Sequence, residues 1–235
     1  MTVSLARAAA VLVLASSIAG CKPPAPDAAP DAAAAVAGRG GSAQSDRNTR
    51  LLDAAGGFET LTETALTQPF TALTATRQAA VDRAATVRSL LTAEQTTRLD
   101  ALADALDAAL AGQDRTATAI AAVETYRVLV SAQDGTAKVP VDVSLLDYAG
   151  FKYDTIVQAQ PIDWTGMATD VGYAREVWTR LSPDVSSQAL VGAFESSLAG
   201  METAVRERNP VAARVAVSTE LALVDALEEH FSARP

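Results

Sequence analysis

The chain has one cysteine and one histidine among its 235 residues. That scarcity excludes a disulfide framework, a zinc ribbon, a His-rich metal cage and a CxxCH haem attachment. No Glu-x-x-His pair of the di-iron bundle kind is present. A glycine-rich dinucleotide loop, a P-loop and a nucleophile elbow are missing too. Aromatic residues make up only 5%, with two tryptophans. Alanine fills the space they leave: 51 residues of it, with Leu and Val, supply most of the 49% apolar content. Alanine leads the helix-propensity ranking and leucine follows closely. With 20% charged residues and so many aliphatics, the chain lies outside the disordered class.

Positive charge is also in deficit. Nineteen basic residues face 28 acidic ones, for a net charge of −9. Nucleic-acid binding needs Lys and Arg to neutralise phosphates, so no nucleic-acid partner is expected. Anionic lipid surfaces would repel such a body. Attachment to a membrane therefore needs a source other than charge.

Residues 1–20 contain one basic residue, Arg7, and no acidic one, followed by the apolar run Ala8–Leu14. That run is too short for a spanning helix, which needs about 20 residues, and it reads as a secretory signal. The tetrapeptide Ile18-Ala19-Gly20-Cys21 then resembles the lipobox of bacterial lipoproteins. The resemblance implies cleavage between Gly20 and Cys21, a diacylglyceryl group on the thiol, and a palmitate-type acyl chain on the new amine. Three acyl chains anchor a protein stably, at about 0.8 kcal/mol per buried CH₂. Lys22, where the family's inner-membrane proteins carry Asp, implies an outer-membrane address facing the periplasm.

Residues 21–50 read as the lipidated cysteine and a Pro/Ala/Asp-rich disordered tether. Val36 is the single open-chain apolar residue larger than Ala in Lys22–Arg50. Such a segment buries too little surface to offset its ordering entropy, and as a coil it spans roughly 30 Å.

From Leu51 the apolar period becomes helical. Trp164, Met167, Val171, Ala174, Trp178 and Leu181 step by three and four. Leu99, Leu102, Leu106 and Leu110 form a second stripe; Leu190, Phe194, Leu198, Met201 and Val205 a third. Leu221, Val224, Leu227 and Phe231 form another. Thr92-Ala93-Glu94-Gln95 reads as a capping box. Asp114, Ser182 (before Pro183), Asp163 and Asn209 (before Pro210) read as N-caps. These patterns predict an all-α fold for 51–235.

The chain also repeats itself. Leu51-Leu52-Asp53-Ala54-Ala55-Gly56 returns as Leu145-Leu146-Asp147-Tyr148-Ala149-Gly150, and Gln68-Pro69 returns as Gln160-Pro161. We read a helical bundle of two internally repeated multi-helix units, about 51–132 and 143–232. Each unit is expected to hold a short helix, a long helix, a capped turn and two more helices. Asp53 and Asp147 are expected as caps or as partners of arginines such as Arg83 and Arg175. Gly56 and Gly150 are expected at a kink or a close helix contact.

Aromatic bulk gathers in the second unit, where Tyr148, Tyr153, Trp164 and Tyr173 are the candidates for a ligand or partner surface, the alternative being a larger core. His230 reads as a cation at a helix C-terminus. No catalytic residue, metal site or cofactor is expected. The favoured reading is a non-enzymatic envelope lipoprotein that binds an envelope protein partner or has a structural role. The alternatives are a periplasmic carrier of a small molecule or cofactor, and a carboxylate-based hydrolase.

Overall fold

The helices follow the punctuation of the sequence. In the computed structural model, which describes the backbone of residues 32–234 and the side chains of 44–234, eight α-helices account for most of the described residues. The signal segment, Gly20, Cys21 and residues 22–31 lie outside the described residues. The helices are α1 (Ala32–Ala65), α2 (Phe70–Val87), α3 (Ala93–Ala111), α4 (Arg115–Val130), α5 (Val141–Gln158), α6 (Trp164–Leu181), α7 (Gln188–Arg206) and α8 (Pro210–Ser232). Single 3₁₀ turns, Arg88–Leu90 and Ser182–Asp184, follow α2 and α6. No strand occurs among the described residues, and no helix there is long and apolar enough to cross a membrane.

The caps explain several of these boundaries. Thr92 and Gln95 form the reciprocal box at the start of α3. The carboxylate of Asp114 accepts from Ala117 N, that of Asp163 from Thr165 N and Gly166 N, and the Asn209 amide oxygen from Val211 N and Ala212 N. Ser182 does not cap α7 as expected. It opens the 3₁₀ turn, and Ser187 takes the cap by accepting from Leu190 N. A Ser-Pro pair suits the first turn of a 3₁₀ segment as well as that of an α-helix, so the sequence pattern alone did not separate the two.

In the first half, α1 packs against α2 and α4, and α3 against α4. In the second, α5 packs against α6 and α8, and α7 against α8. The α4–α5 contact joins the halves, and most of the buried apolar residues from Leu51 to Phe231 form one continuous cluster. The helical stripes supply it: Leu99 and Leu106 belong to the cluster, as do Met167, Val171, Ala174, Trp178 and Leu181. Trp178 stacks on Phe194 at 4.4 Å between ring centroids, and its Nε1 donates to Glu195 Oε1 at 2.6 Å.

Helix α1 departs most from expectation. The tether was expected to continue to Arg50, yet α1 begins at Ala32 and is the longest helix rather than a short one. Its polar residues dock on the rest of the fold. Asn48, 4% exposed, donates to Asp134 Oδ1 at 2.8 Å, Arg47 to Leu90 O at 3.0 Å, and Arg50 to Thr86 O at 2.6 Å. These bonds satisfy acceptors at the ends of α2, its 3₁₀ turn and the α4–α5 link. A scan for apolar residues misses anchoring of this kind.

The close helix contact expected at Gly56 falls one residue later. A Cβ on Gly56 would meet nothing within 4 Å, whereas one on Gly57 would lie 3.0 Å from Ala80 Cα. At Gly150 the expectation of close contact matches the packing. A Cβ there would collide with Glu220 Oε2 and stand 2.6 Å from Leu221 Cδ2.

Candidate functional site

Where α4 meets α5 and α6, the helical period gathers charged and aromatic side chains. Tyr148 and Lys152 lie four apart on α5, and Asp170 and Tyr173 three apart on α6, so each pair shares a face. Glu124 and Arg127 face them from α4. The Lys152 ammonium sits between two carboxylates, 3.1 Å from Glu124 Oε1 and 3.2 Å from Asp170 Oδ1. The Tyr148 hydroxyl donates to Glu124 Oε1 at 2.8 Å and accepts from Lys152 Nζ at 3.2 Å. Tyr148 meets Tyr173 edge to face at 5.6 Å. The Arg127 guanidinium lies 5.3 Å from the Tyr148 ring and 5.4 Å from that of Tyr173.

The electrostatics follow from this geometry. Burial pushes the Glu124 carboxyl up, but the Tyr148 hydrogen bond and the Lys152 charge outweigh it and leave the group below its ordinary value. Burial opposes the charge on Lys152, and Asp170, Tyr148 and Glu124 together hold it above its usual range. Burial raises the Tyr148 phenol to about 12, with the Glu124 carboxylate adding to the shift. Asp170 is pushed up by burial to about 6, against the pull of Lys152. Its Oδ2 is buried without a hydrogen-bond partner.

This cluster backs onto a cleft of about 840 Å³ between α3 and α4. Glu94, Gln95, Thr97, Arg98 and Ala101 line it from α3, and Glu124, Arg127 and Val128 from α4, with Ser131 just beyond. Arg98 lies 3.7 Å and Arg127 3.9 Å from the same Glu124 Oε2.

A second buried acid lies between α5 and α8. Glu220 is fully buried, and neither carboxylate oxygen has a hydrogen-bond partner. Burial, reinforced by Asp147, pushes it well above its ordinary value. Asp147 is raised as well, by burial and then by Glu59, although it accepts from the Tyr126 hydroxyl at 3.1 Å. Asp147 is therefore neither a cap nor an arginine partner. Arg175 instead pairs with Glu195 and Glu202, while Asp53 is exposed on α1. Among the described residues no group of His, Cys, Asp or Glu is arranged to hold a metal ion.

Of the four aromatic candidates, Tyr148 and Tyr173 come together in the α4–α5–α6 cluster. Tyr153 is fully buried in the second half and donates to Met201 O at 3.3 Å. Trp164 is half-buried at the start of α6. Neither joins a surface with the first two, because Tyr153 lies on the face of α5 turned toward α7. His230 closes the last turn of α8, with Nε2 3.3 Å from Ser186 Oγ.

Sequence reasoning missed Glu124, Lys152, Asp170 and Glu220. A signal for Lys152 was present, since it is one of three lysines against sixteen arginines. Glu220 was legible too. The buried seam of α8 runs Val217, Glu220, Val224, Leu227, Phe231, stepping by three and four through the glutamate rather than through Leu221. Comparison with known families, curated proteins and solved structures finds no match to this chain.

Proposed function

We propose that the chain is a bacterial lipoprotein, anchored in the outer membrane through Cys21 and facing the periplasm, whose helical body is a non-enzymatic binding module. The anchor rests on the Ile18-Ala19-Gly20-Cys21 lipobox and the short apolar run before it. We also propose that the body arose by duplication of a four-helix unit. The recurrence of the LLDxAG segment supports this reading, as does the order helix, helix, 3₁₀ turn, helix, helix in both halves.

The observation that carries the binding role is the α3–α4 cleft, backed by an ionic cluster in which Lys152 bridges Glu124 and Asp170 from one half to the other. A cleft of about 840 Å³ falls in the range of small-molecule sites, which favours the carrier form of the module over docking of an envelope protein.

The anchor is tested by metabolic labelling with a fatty-acid probe. Wild-type chain takes up label and Cys21→Ala does not; persistent labelling of the variant overturns the lipoprotein reading. The module is tested by native mass spectrometry of the detergent-purified chain. A retained small molecule supports the carrier form, and a co-purifying envelope protein supports the partner-binding form. Loss of both leaves the body without a binding role.

A further inference from the structure

We propose that Arg98 and Arg127 are the recognition pair for an oxyanion, a carboxylate or phosphate group carried by a ligand that enters the α3–α4 cleft. This rests on reading the cleft as the binding site, and it adds the chemistry of what binds there.

The argument begins with donors. Each guanidinium presents five N–H groups in a planar fork suited to carboxylate and phosphate oxygens. Arg98 makes no hydrogen bond within the described protein; its nearest anion is Glu124 Oε2, at 3.7 Å. Arg127 makes one long bond, from Nη1 to the Tyr148 hydroxyl at 3.4 Å, and lies 3.9 Å from the same Oε2. Both carboxylate distances exceed that of a charge-assisted hydrogen bond, which is nearer 2.8 Å. Most of the ten donors of the pair are therefore left for solvent or for a ligand.

Glu124 does not need the two arginines for neutralisation. Its Oε1 already takes the Lys152 ammonium at 3.1 Å and the Tyr148 hydroxyl at 2.8 Å. Glu124 instead holds the guanidiniums near one another, one from each wall of the cleft. The Tyr148 and Tyr173 rings hold the Arg127 fork against α5 and α6. A guanidinium held in place loses less side-chain entropy when an anion binds.

The surroundings suit a ligand with an apolar body and one anionic end. Ala101 and Val128 give an apolar wall, and Gln95, Thr97 and Ser131 offer neutral polar groups. Glu94 is the remaining carboxylate of the lining, exposed in the first turn of α3. It would oppose a second negative charge on the ligand, and so favours a singly charged group.

The test uses the full chain in detergent and isothermal titration with inorganic phosphate and, separately, with a short-chain carboxylate such as butyrate. Ionic strength is held constant with chloride, so that screening does not imitate binding. Saturable binding of either anion is expected, and the preferred anion identifies the group. Arg98→Gln and Arg127→Gln should each weaken it roughly tenfold, the loss of one charge-assisted hydrogen bond. Arg127→Lys, which keeps the charge but not the fork, should weaken it as well. Arg206→Gln, on exposed α7, should leave it unchanged. Helicity by circular dichroism confirms that each variant folds.

No saturable heat with either anion, or unchanged affinity in both glutamine variants, overturns the assignment. If native mass spectrometry still finds a retained ligand in that case, the oxyanion assignment fails while the binding-module reading stands.

Discussion

Glu220 shows how a single residue can contribute to the pH response of the fold. A carboxyl buried without partners must be neutral to remain there, and its folded value is accordingly raised. A group raised in this way contributes stability that is fully present below its unfolded value and is lost as pH rises through the folded one. Glu124 has the opposite sign: held below its ordinary value, it contributes stability that is lost as pH falls through its folded value. Melting temperature against pH should therefore fall on both flanks. Glu220→Gln should make the alkaline flank shallower and leave the acid flank in place, the rest of the alkaline loss coming from Asp147 and Asp170, which are raised in the same direction; an unchanged alkaline flank would show that Glu220 does not contribute to it. Gly150→Ala tests the same contact sterically. Its methyl group meets Glu220 Oε2 and Leu221, so denaturant titration should show a loss of about 1–3 kcal/mol. Lys152→Met leaves Glu124 and Asp170 without their shared cation. With the ammonium partly exposed, a loss of about 2 kcal/mol is expected from chemical unfolding. Asp170→Asn should cost less, because Oδ2 has no partner to lose.

At the scale of elements, the caps were the most legible part of the sequence. Thr92, Asp114, Asp163 and Asn209 each sit where a hydroxyl, carboxylate or amide meets free N–H groups, a local interaction that needs no knowledge of the fold. Thr92→Ala should lower stability by about 1 kcal/mol, read by thermal unfolding, with helix content unchanged. The start of α1 was not legible, because Arg47, Asn48 and Arg50 gain their partners only once α2 and the α4–α5 link are in place. Arg115 is a similar case. From the first turn of α4 it donates to Ala65 O at 2.8 Å and Gln68 O at 2.6 Å, closing the end of α1, and lies 4.6 Å from the Phe70 ring centroid. The candidate site failed to show for a related reason. Glu124, Lys152 and Asp170 come from three helices, and only the α4–α5–α6 packing makes them neighbours. Tyr148 and Tyr173 were singled out as aromatics, without any sign that they would flank an arginine.

At the scale of the molecule, the continuous core and the ionic bridge from α4 to α5 and α6 predict that the two halves unfold together. The protein carries its own probes for this. Both tryptophans lie on α6, so their fluorescence follows the second half, while far-ultraviolet dichroism follows all eight helices. Coincident transitions are expected from the two signals; a fluorescence transition separated from the dichroism one would mean that the halves are independent.

Helix α1 also determines how the body responds to force. It runs unbroken from Ala32 to its buried end at Ala65, lying against α2 and α4. A pull applied along its axis from the N-terminal side would load this packing in shear. Leu51, Ala54, Ala55, Phe58 and Leu61 would have to slide past their neighbours together, as in a lap joint loaded in shear. Resistance to forced extension depends on the unfolding barrier rather than on equilibrium stability, so the packing of these side chains would set the resistance to tension along α1.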